Sequence, residues 1–375
     1  MRRWKSWFVL LIALLLVSGC NEQDRVSGKP GTGPDAPAKS AVTPPGNGSA
    51  EIPEKLKKPL KIAAITQFSI GTFSSQYIAG LTEQVKAFGG EVQVYNADND
   101  LSKMASYLET AINQKVDGIL LDHGRADALA PGVKKAVAAG IPVVAFDSDL
   151  NIPGVTVIDQ DDYSLAWNAL RTLAQDLNGQ GEIVYIWVAG YTPMERRNVM
   201  YEAFRKRYPG IKEIARFGTA SANTALDTQA QMEALLRKYP NKGDIDAVFA
   251  PWDEFAKGAT RAIQQAGRTE IKVYGIDLSD EDLQLMQAPN SPWKATAATD
   301  PADVGRLQVR FLYQKIAGEP VPQVYSVQPH LVEQRLLTSD QPVSMQDIGK
   351  YIPGWGQSQA GWSPWMNKLI EANKK

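Results

Sequence analysis

Residues 141–147 read Ile-Pro-Val-Val-Ala-Phe-Asp, a short apolar run that ends on a carboxylate. A continuous apolar run of this length is typical of a parallel strand that is covered by helices on both faces. Gly140 and Pro142 mark the start of the strand, because neither residue favours continuation of the preceding helix. Asp147 therefore falls at the carboxyl end of a buried strand, which is where ligands bind in open parallel sheets.

Similar apolar runs alternate with amphipathic segments along the rest of the chain. In the first half, strands are predicted at residues 61–66, 91–96, 118–122, 142–147 and 155–158, with helices at 76–88, 102–114 and 128–139. In the second half, strands are predicted at 182–188, 247–250 and 272–276, with helices at 164–177, 196–208, 224–239 and 254–266. This alternation indicates βαβ units. Two successive sets of such units exceed one sheet, so we predict an α/β fold of two doubly wound parallel-sheet lobes.

The composition is that of an ordinary globular protein without a dominant charge. The 375 residues are 44% hydrophobic and 22% charged, which is enough to bury the cores of two domains. The 40 basic and 41 acidic residues leave a formal net charge of -1. This balance provides no electrostatic footprint for nucleic acid, so we predict no nucleic-acid partner.

The start of the chain has the pattern of an export signal. Arg2, Arg3 and Lys5 precede an apolar run at residues 7–17. This run is shorter than the roughly 20 residues that span a bilayer, and it has the length of a signal-peptide core. We therefore predict export by the general secretory route, with an uncleaved signal anchor as the alternative.

The apolar run ends in Val17-Ser18-Gly19-Cys20, which resembles the bacterial lipobox, where the cysteine is acylated and becomes the first residue of the mature protein. We predict that residues 1–20 form a lipoprotein signal peptide and that Cys20 carries the lipid. The protein is then predicted in the cell envelope, anchored to a bacterial membrane, with its body in the periplasm or outside the cell. Cys20 is the only cysteine, so an internal disulfide or a Cys-based zinc site is excluded.

Residues 21–58 are rich in Pro, Gly, Ser, Ala and charged residues and hold almost no large apolar residue. A segment of this composition cannot bury enough apolar surface to offset the chain entropy that is lost on ordering. We predict a flexible linker here, which would hold a soluble body near the membrane.

Five phrases of the body occur in the order and spacing of a known family. They are IPVVAFD at 141–147, RNVMYEAF at 197–204 leading to YPGIK at 208–212, AVFAPWDEFAKG at 247–258, VYGID at 273–277 and ATAATDP at 295–301. With these phrases the chain resembles the type I periplasmic sugar-binding proteins, in the ribose-binding branch that is related to the ligand domain of lac-type repressors. An export signal, and no helix-turn-helix before Lys61, argue against the repressor branch.

The resemblance implies two similar lobes joined by a three-strand hinge, with a ligand cleft between them and no catalytic activity. It implies an N-terminal lobe at residues 59–161 plus 300–328 and a C-terminal lobe at 162–299 plus 329–338. Residues 339–375 form a C-terminal extension beyond the family body, and no role is predicted for its aromatic residues.

A sugar presents adjacent hydroxyl groups and an apolar C–H face. Carboxylates accept hydroxyl protons and aromatic rings cover the C–H face, so Asp with Phe or Trp is the expected set of binding residues. The resemblance implies that Asp147 and Asp277 supply one carboxylate from each lobe, and that the ring of Phe73 stacks on the sugar. A structural role is the alternative for each, a turn cap for the two aspartates and core packing for Phe73.

Other positions depart from the family pattern. Ser148 and Glu195 stand where arginines are common, so the site is predicted to be rich in acceptors. Such a site favours ligands with hydroxyl or amino groups over ligands with carboxylate or phosphate. The complete predicted set of ligand-binding residues is Gln67, Phe68, Phe73, Ser74, Asp147, Ser148, Glu195, Arg196, Arg197, Trp252, Asp277 and Thr299.

Motifs of other functional classes are missing from the sequence. It holds no Gly-rich phosphate loop and no nucleophile elbow. His123 and His330 form no zinc motif, so both are predicted to be packing or surface residues. We predict neither a metal nor a cofactor.

The predicted function is that of a monomeric solute-binding lipoprotein of an ABC-type uptake system. It would capture a sugar or polyol between two lobes by hinge closure and deliver it to a membrane permease. A sensor that presents a ligand of the autoinducer-2 type for chemotaxis or quorum signalling is an alternative. A glycoside hydrolase is a remote alternative, because it requires one of two paired carboxyl groups to stay protonated.

Overall fold

A computed structural model of the protein describes residues 51–337 and 341–374. Cys20, the predicted signal peptide at 1–20 and most of the predicted linker lie outside the described residues. The prediction for the end of the linker was wrong, because a 3-10 helix at Glu54–Leu56 buries Leu56 in the hydrophobic core. Within the described residues, no helix combines the length and hydrophobicity needed to cross a membrane.

The described residues form the following strands and α-helices, in chain order. The strands are β1 (Lys61–Thr66), β2 (Glu91–Asn96), β3 (Gly118–Asp122), β4 (Val143–Phe146), β5 (Val155–Asp159), β6 (Gly181–Ile186), β7 (Ile211–Phe217), β8 (Ala247–Ala250), β9 (Lys272–Ile276), β10 (Trp293–Ala298), β11 (Val324–Ser326) and β12 (His330–Glu333). The helices are α1 (Gly71–Ala87), α2 (Leu101–Asn113), α3 (Ala126–Ala138), α4 (Asp162–Asp176), α5 (Thr192–Arg207), α6 (Thr224–Lys238), α7 (Asp253–Gln265), α8 (Asp280–Gln287), α9 (Pro301–Ala317) and α10 (Pro364–Asn373). Further short 3-10 helices lie at Gln334–Leu336 and Ile348–Lys350.

The strands make two six-stranded sheets, and the body around each sheet is called here the first and the second lobe. The first sheet has the order β11-β5-β4-β3-β1-β2, and all its neighbouring strands are parallel. The second has the order β12-β10-β9-β8-β6-β7, in which β12 runs antiparallel to β10 and the other pairs are parallel. The prediction of an α/β fold with two parallel-sheet lobes is confirmed.

Hydrophobic cores lie on both faces of each sheet. On β1, Ile62 and Ala64 face one core, while Ala63 and Ile65 face the other. Successive side chains of a strand point to opposite faces, so an unbroken apolar run fills both cores at once. This explains why the central strands were predictable from apolar runs alone.

Strands β7 and β10 and helices α8 and α9 were not predicted from the sequence. Strand β7 is an edge strand that carries Lys212, Glu213 and Arg216, so it lacks the continuous apolar run of a central strand. Helix α1 begins at Gly71, earlier than the predicted residue 76, and its N-cap residue Ile70 makes no side-chain cap. Without a capping residue the sequence carries no signal for this helix start.

Within residues 51–337 the chain passes between the lobes three times. It enters the second lobe between β5 and α4, returns between β10 and α9, and crosses again between β11 and β12. Gln160 lies in the first connection and Thr299 in the second, and the Thr299 hydroxyl donates to Gln160 Oε1 at 2.8 Å. The hydrogen bond shows that these two connections lie side by side.

Residues 341–374, called here the C-terminal segment, pack on both lobes. Its first part buries Ile348 and Trp355 in a core of the second lobe. Its last part buries Trp365 and Leu369 in a core of the first lobe. Between them, Gly356 has a φ of +65° and lies so close to Asp300 that an added Cβ would be 2.4 Å from a carboxylate oxygen. The C-terminal segment is therefore a further link between the lobes.

Replacing Trp365 by Ala tests the packing of this segment. Trp365 is 1% exposed, so we expect Trp365→Ala to lower the free energy of unfolding by about 3–5 kcal/mol. Tyr163→Ala is the matched control, because Tyr163 is 47% exposed and should cost about 0.5 kcal/mol or less. Urea unfolding followed by circular dichroism measures both; equal losses would contradict the buried position of Trp365.

Candidate functional site

A cavity lies between the two lobes at the carboxyl ends of the parallel strands. Its walls combine acidic, aromatic and aliphatic side chains from both sheets. The lining residues are Phe68, Ile70, Phe73, Ser74, Tyr77, Asp122, His123, Asp147, Gln160, Val188, Tyr191, Pro193, Met194, Arg197, Ala220, Trp252 and Asp277.

Three lining residues have an unusual backbone. His123, Asp147 and Asp277 directly follow β3, β4 and β9, and their φ angles are +60°, +46° and +73°. Residues other than glycine adopt this left-handed conformation rarely, and Asp, Asn and His do so more readily than most. The turn lets each strand end on a polar side chain at the cavity.

Asp147 is fully buried and keeps one oxygen without a partner. Its Oδ2 accepts a hydrogen bond from Gln160 Nε2 at 2.7 Å, whereas its Oδ1 has no hydrogen-bond partner among residues 51–337 and 341–374. A buried acceptor without a donor costs free energy that a ligand donor can recover. The Oδ1 atom is therefore the strongest candidate for a ligand contact.

Arg197 holds the second acid in place. Its Nη1 donates to Asp277 Oδ2 at 3.2 Å and to the carbonyl of Pro251 at 2.7 Å, while its Nε donates to Asp162 Oδ1 at 2.9 Å. Arg197 and both aspartates are buried, so the two carboxylates compensate the charge of the guanidinium. The second lobe thus presents an acid whose direction is fixed by an ion pair.

Burial changes the protonation of both acids. It raises the pKa of Asp147 to about 8, with a further contribution from the nearby Asp162 carboxylate. Burial also raises the pKa of Asp277, to about 6, although the positive charge of Arg197 opposes that rise. Burial therefore disfavours the ionised form of Asp147 more than that of Asp277, and a donor at Asp147 Oδ1 would oppose this effect.

His123, predicted to be a packing or surface residue, packs against Phe68 and Phe146 and also lines the cavity. Its Nδ1 lies 2.6 Å from Asp122 Oδ1, and both residues line the cavity. Burial opposes the charged imidazolium, but the Asp122 carboxylate outweighs this effect and raises the pKa of His123. The clue in the sequence is that His123 directly follows an apolar strand, as Asp147 and Asp277 do.

Aromatic rings form a continuous group on another side of the cavity. The ring of Phe68 lies 4.8 Å from that of His123, 5.6 Å from Tyr191 and 6.4 Å from Trp252, measured between centroids. Trp252 in turn packs edge-on against Phe255 at 5.2 Å. The group offers flat apolar surfaces from both lobes to a ligand.

Seven of the predicted binding residues line the cavity, and five do not. Those that line it are Phe68, Phe73, Ser74, Asp147, Arg197, Trp252 and Asp277. Those that do not line it are Gln67, Ser148, Glu195, Arg196 and Thr299.

Gln67 and Thr299 lie behind the lining residues. Gln67 accepts from the backbone N–H of Gly124 at 2.9 Å and donates to Asn99 at 2.9 Å, so it braces the loops after β2 and β3. Thr299 donates to Gln160, which itself donates to Asp147. Neither side chain lines the cavity, but each is hydrogen-bonded to groups that shape it.

Ser148, Glu195 and Arg196 are directed elsewhere. The Ser148 hydroxyl donates to the carbonyl of Gly124 at 3.2 Å, and exposed Glu195 accepts from the backbone N–H of Gly190 at 2.9 Å. Arg196 bonds to Asp162 and to the backbone carbonyl of Ser148, a contact of 3.3 Å between the lobes. These three side chains therefore form their hydrogen bonds outside the cavity.

Several cavity residues were not found from the sequence. Gln160 and Tyr191 lie in loops after β5 and β6, where no motif marks them. Ile70, Tyr77, Val188, Pro193, Met194 and Ala220 are ordinary apolar or aromatic residues whose type carries no functional signal. Asp122 was included in a predicted strand and was not singled out.

Polar contacts join the lobes at the rim of the cavity. Gln76 of α1 donates to Asp280 of the second lobe at 3.1 Å. Asn99, in the loop after β2, donates to the hydroxyl of Tyr191 at 2.9 Å. The two lobes thus contact each other at the rim of the cavity.

Comparison with known proteins agrees with this architecture. A sugar ABC transporter protein from Yersinia enterocolitica subsp. enterocolitica 8081 has a similar structure, with a TM-score of 0.83, 40% identity, and coverage of 86% of this chain and 98% of that chain. A 5-methylthioribose transporter solute binding protein from Thermotoga lettingae TMO, solved with 5-methylthioribose, has a TM-score of 0.82 and 37% identity, covering 86% of this chain and 100% of that chain.

A curated relative is more distant. The xylitol-binding protein of Mycolicibacterium smegmatis is 29% identical over 232 residues, which span 61% of this chain and 65% of that protein. The family model of the periplasmic binding protein domain matches residues 62–320, which is more than half of the chain. With its two parallel-sheet lobes and a cavity between them, the chain belongs to the periplasmic binding protein domain family and shares the fold of sugar ABC transporter binding proteins.

Proposed function

We propose that this protein binds a sugar or polyol between its two lobes and delivers it to the permease of an ABC transporter. The observation that carries the proposal is the buried Oδ1 of Asp147, which lacks a donor in a cavity that also holds the fixed carboxylate of Asp277. Carboxylates of this kind accept hydrogen bonds from adjacent hydroxyl groups. The 5-methylthioribose and xylitol bound by the relatives belong to the same chemical class.

In this proposal each lining group has a distinct role. Asp147 accepts one ligand hydroxyl through Oδ1 while Gln160 holds its other oxygen. Asp277 accepts another hydroxyl from the second lobe, and Arg197 keeps its carboxylate oriented. Phe68, Phe73 and Trp252 cover the C–H faces of the ligand, and Ser74 offers a further hydroxyl.

The ligand favours closure because it contacts both lobes at once. A ligand shifts a conformational equilibrium only when it binds one conformation more tightly than the other. A ligand held by both Asp147 and Asp277 binds the closed conformation more tightly, because only there are both carboxylates within reach. The proposed lobes comprise residues 59–161 plus 300–328 and residues 162–299 plus 329–338, in accord with the sheet that each strand joins. The permease would then recognise the closed form, whose rim is held by contacts such as that of Gln76 with Asp280.

We also propose that the protein does not catalyse glycoside hydrolysis. The raised pKa of Asp147 gives one protonated acid, which a glycosidase requires. The second acid, however, is Asp277, and both of its oxygens are engaged by Arg197. A carboxylate held in this way is a poor nucleophile or base for water. Assays with aryl glycosides should therefore detect no release of the aryl group.

Loss of either acid should greatly weaken ligand binding. We expect Asp147→Ala and Asp277→Ala each to raise the Kd at least about tenfold, since each removes a charge-assisted hydrogen bond. Asp127→Ala is the control, because its carboxylate is exposed and pairs with Arg125 outside the cavity. Titration calorimetry with a panel of pentoses, hexoses and polyols measures the affinities, and circular dichroism checks the fold. Affinities within twofold of wild type for both variants would refute the assignment.

Binding should become tighter as the pH rises towards 8. A ligand hydroxyl that donates to Asp147 favours the ionised carboxyl, so binding lowers its raised pKa and releases a proton. Below pH 8 the affinity should increase by up to about tenfold per pH unit, and above it the affinity should level off. Calorimetry between pH 6 and 9 tests this, and Asp147→Asn should remove the dependence. A slope that persists in this variant would assign the effect to His123, whose pKa is also raised.

We propose further that the mature protein is a monomer anchored by a lipid on Cys20. Expression of the full chain in a bacterium should place it in the membrane fraction and label it with radioactive palmitate. Cys20→Ala should abolish the label, whereas Ser27→Ala, a change in the predicted linker, should not. Equal labelling of both variants would disprove the lipid anchor. The oligomeric state is tested separately by sedimentation of the unlipidated body, and twice the monomer mass would disprove the monomer.

A further inference from the structure

The lining of the cavity changes from polar to apolar along the order of the strands. In the first sheet, the order β5-β4-β3-β1 places in turn Gln160, Asp147, His123 and Phe68. In the second sheet, the order β9-β8-β6-β7 places in turn Asp277, Trp252, Val188 and Ala220. Each lobe therefore has hydrogen-bonding groups at one side of the cavity and apolar groups at the other.

Contacts between the lobes show that the two series run in the same direction. On one side, Gln160 after β5 bonds to Thr299 after β10 at 2.8 Å. On the other side, Asn99 after β2 bonds to Tyr191 after β6 at 2.9 Å, and the Tyr191 ring lies 5.6 Å from that of Phe68. The polar parts of the two lobes therefore face each other, and so do the apolar parts.

The polar end is made of linked groups. Asp147 is bonded to Gln160, Asp277 to Arg197, and His123 to Asp122. The three pairs concentrate the donors and acceptors of the cavity next to the connections between the lobes. A polyhydroxylated group finds its partners at this end.

The apolar end offers few hydrogen bonds to a ligand. It is lined by Val188, Pro193, Met194 and Ala220, next to the ring of Phe68. Among the nearby hydroxyls, that of Tyr77 donates to Gln308, while that of Tyr191 accepts from Asn99 and keeps its own proton, as Ser74 does. A ligand hydroxyl placed beside Val188, Met194 and Ala220 therefore has few partners to replace the water that it loses.

We propose that the cavity selects a sugar or polyol whose end remote from the Asp147–Asp277 pair carries an alkyl or alkylthio group in place of a hydroxyl. Such a group loses no hydrogen bond on burial and contacts aromatic rings and the Met194 side chain. This inference rests on the proposed function and specifies its substrate class. Val188, Met194 and Ala220 are then the residues that set specificity at the apolar end.

A matched series of ligands tests the proposal on the intact protein. In the furanose form, D-ribose, 5-deoxy-D-ribose and 5-methylthio-D-ribose differ only at the terminal carbon. The two 5-substituted sugars can close only as furanoses, so the affinity of D-ribose is corrected for its furanose fraction. We expect the affinity, measured by titration calorimetry, to rise along this series and to be at least about tenfold higher for 5-methylthio-D-ribose than for D-ribose, because apolar burial replaces a hydroxyl with few partners.

An isosteric variant tests which residues are responsible. Val188→Thr keeps the size of the side chain and adds a hydroxyl to the apolar end, so the preference for 5-methylthio-D-ribose over D-ribose should fall by about threefold or more. Val199→Thr is the matched control, because Val199 is 57% exposed on α5 and does not line the cavity. It should leave the preference unchanged.

The outcomes separate this proposal from the proposed function. If D-ribose, or an unsubstituted polyol from the wider panel, binds as tightly as 5-methylthio-D-ribose or more tightly, the apolar end is not selective and the inference is overturned. If Val188→Thr and Val199→Thr have equal effects, the assignment of Val188 is overturned. If no sugar, polyol or substituted sugar binds at all, the proposed function itself fails.

Discussion

The buried guanidinium of Arg197 fixes the second lobe's side of the cavity. It joins Asp162 at the start of α4, the carbonyl of Pro251 after β8 and the carboxylate of Asp277 after β9. A buried cation is tolerated only where acceptors surround it, so these three loops are held at one relative position. Trp252, the residue after Pro251, is placed against the cavity by the same constraint. This side of the cavity is therefore braced by the protein's own groups.

The first lobe presents the opposite situation. Gln160 satisfies one oxygen of Asp147 and leaves the other without a donor, although the side chain is fully buried. Burial of this carboxyl group disfavours its charged form and raises the pKa of Asp147. One lobe therefore holds a carboxylate with an ion-pair partner, and the other holds a carboxyl oxygen without a donor among the described residues.

Closure also depends on how the lobes are connected. The connections after β5 and β10 are hydrogen-bonded to each other through Gln160 and Thr299, so the polar end of the cavity lies beside them. The apolar end lies on the far side, where Tyr191 contacts Asn99. The C-terminal segment adds a link from Trp355 on the second lobe to Trp365 on the first. A change in the angle between the lobes must therefore be accommodated by the residues around Gly356 as well.

The sequence alone determined the two-lobed α/β fold, because buried strands are continuous apolar runs and the runs occur in two sets. It also placed Asp147 and Asp277 at strand ends, since the residue that follows such a run is visible in the chain. Tertiary structure decided which side chains enter the cavity. Ser148 is adjacent to Asp147 yet bonds to Gly124, whereas His123, which no motif marks, lines the cavity through a left-handed turn. The direction of a side chain at a strand end depends on the local φ angle and on packing between the lobes, and neither is written in the order of residue types.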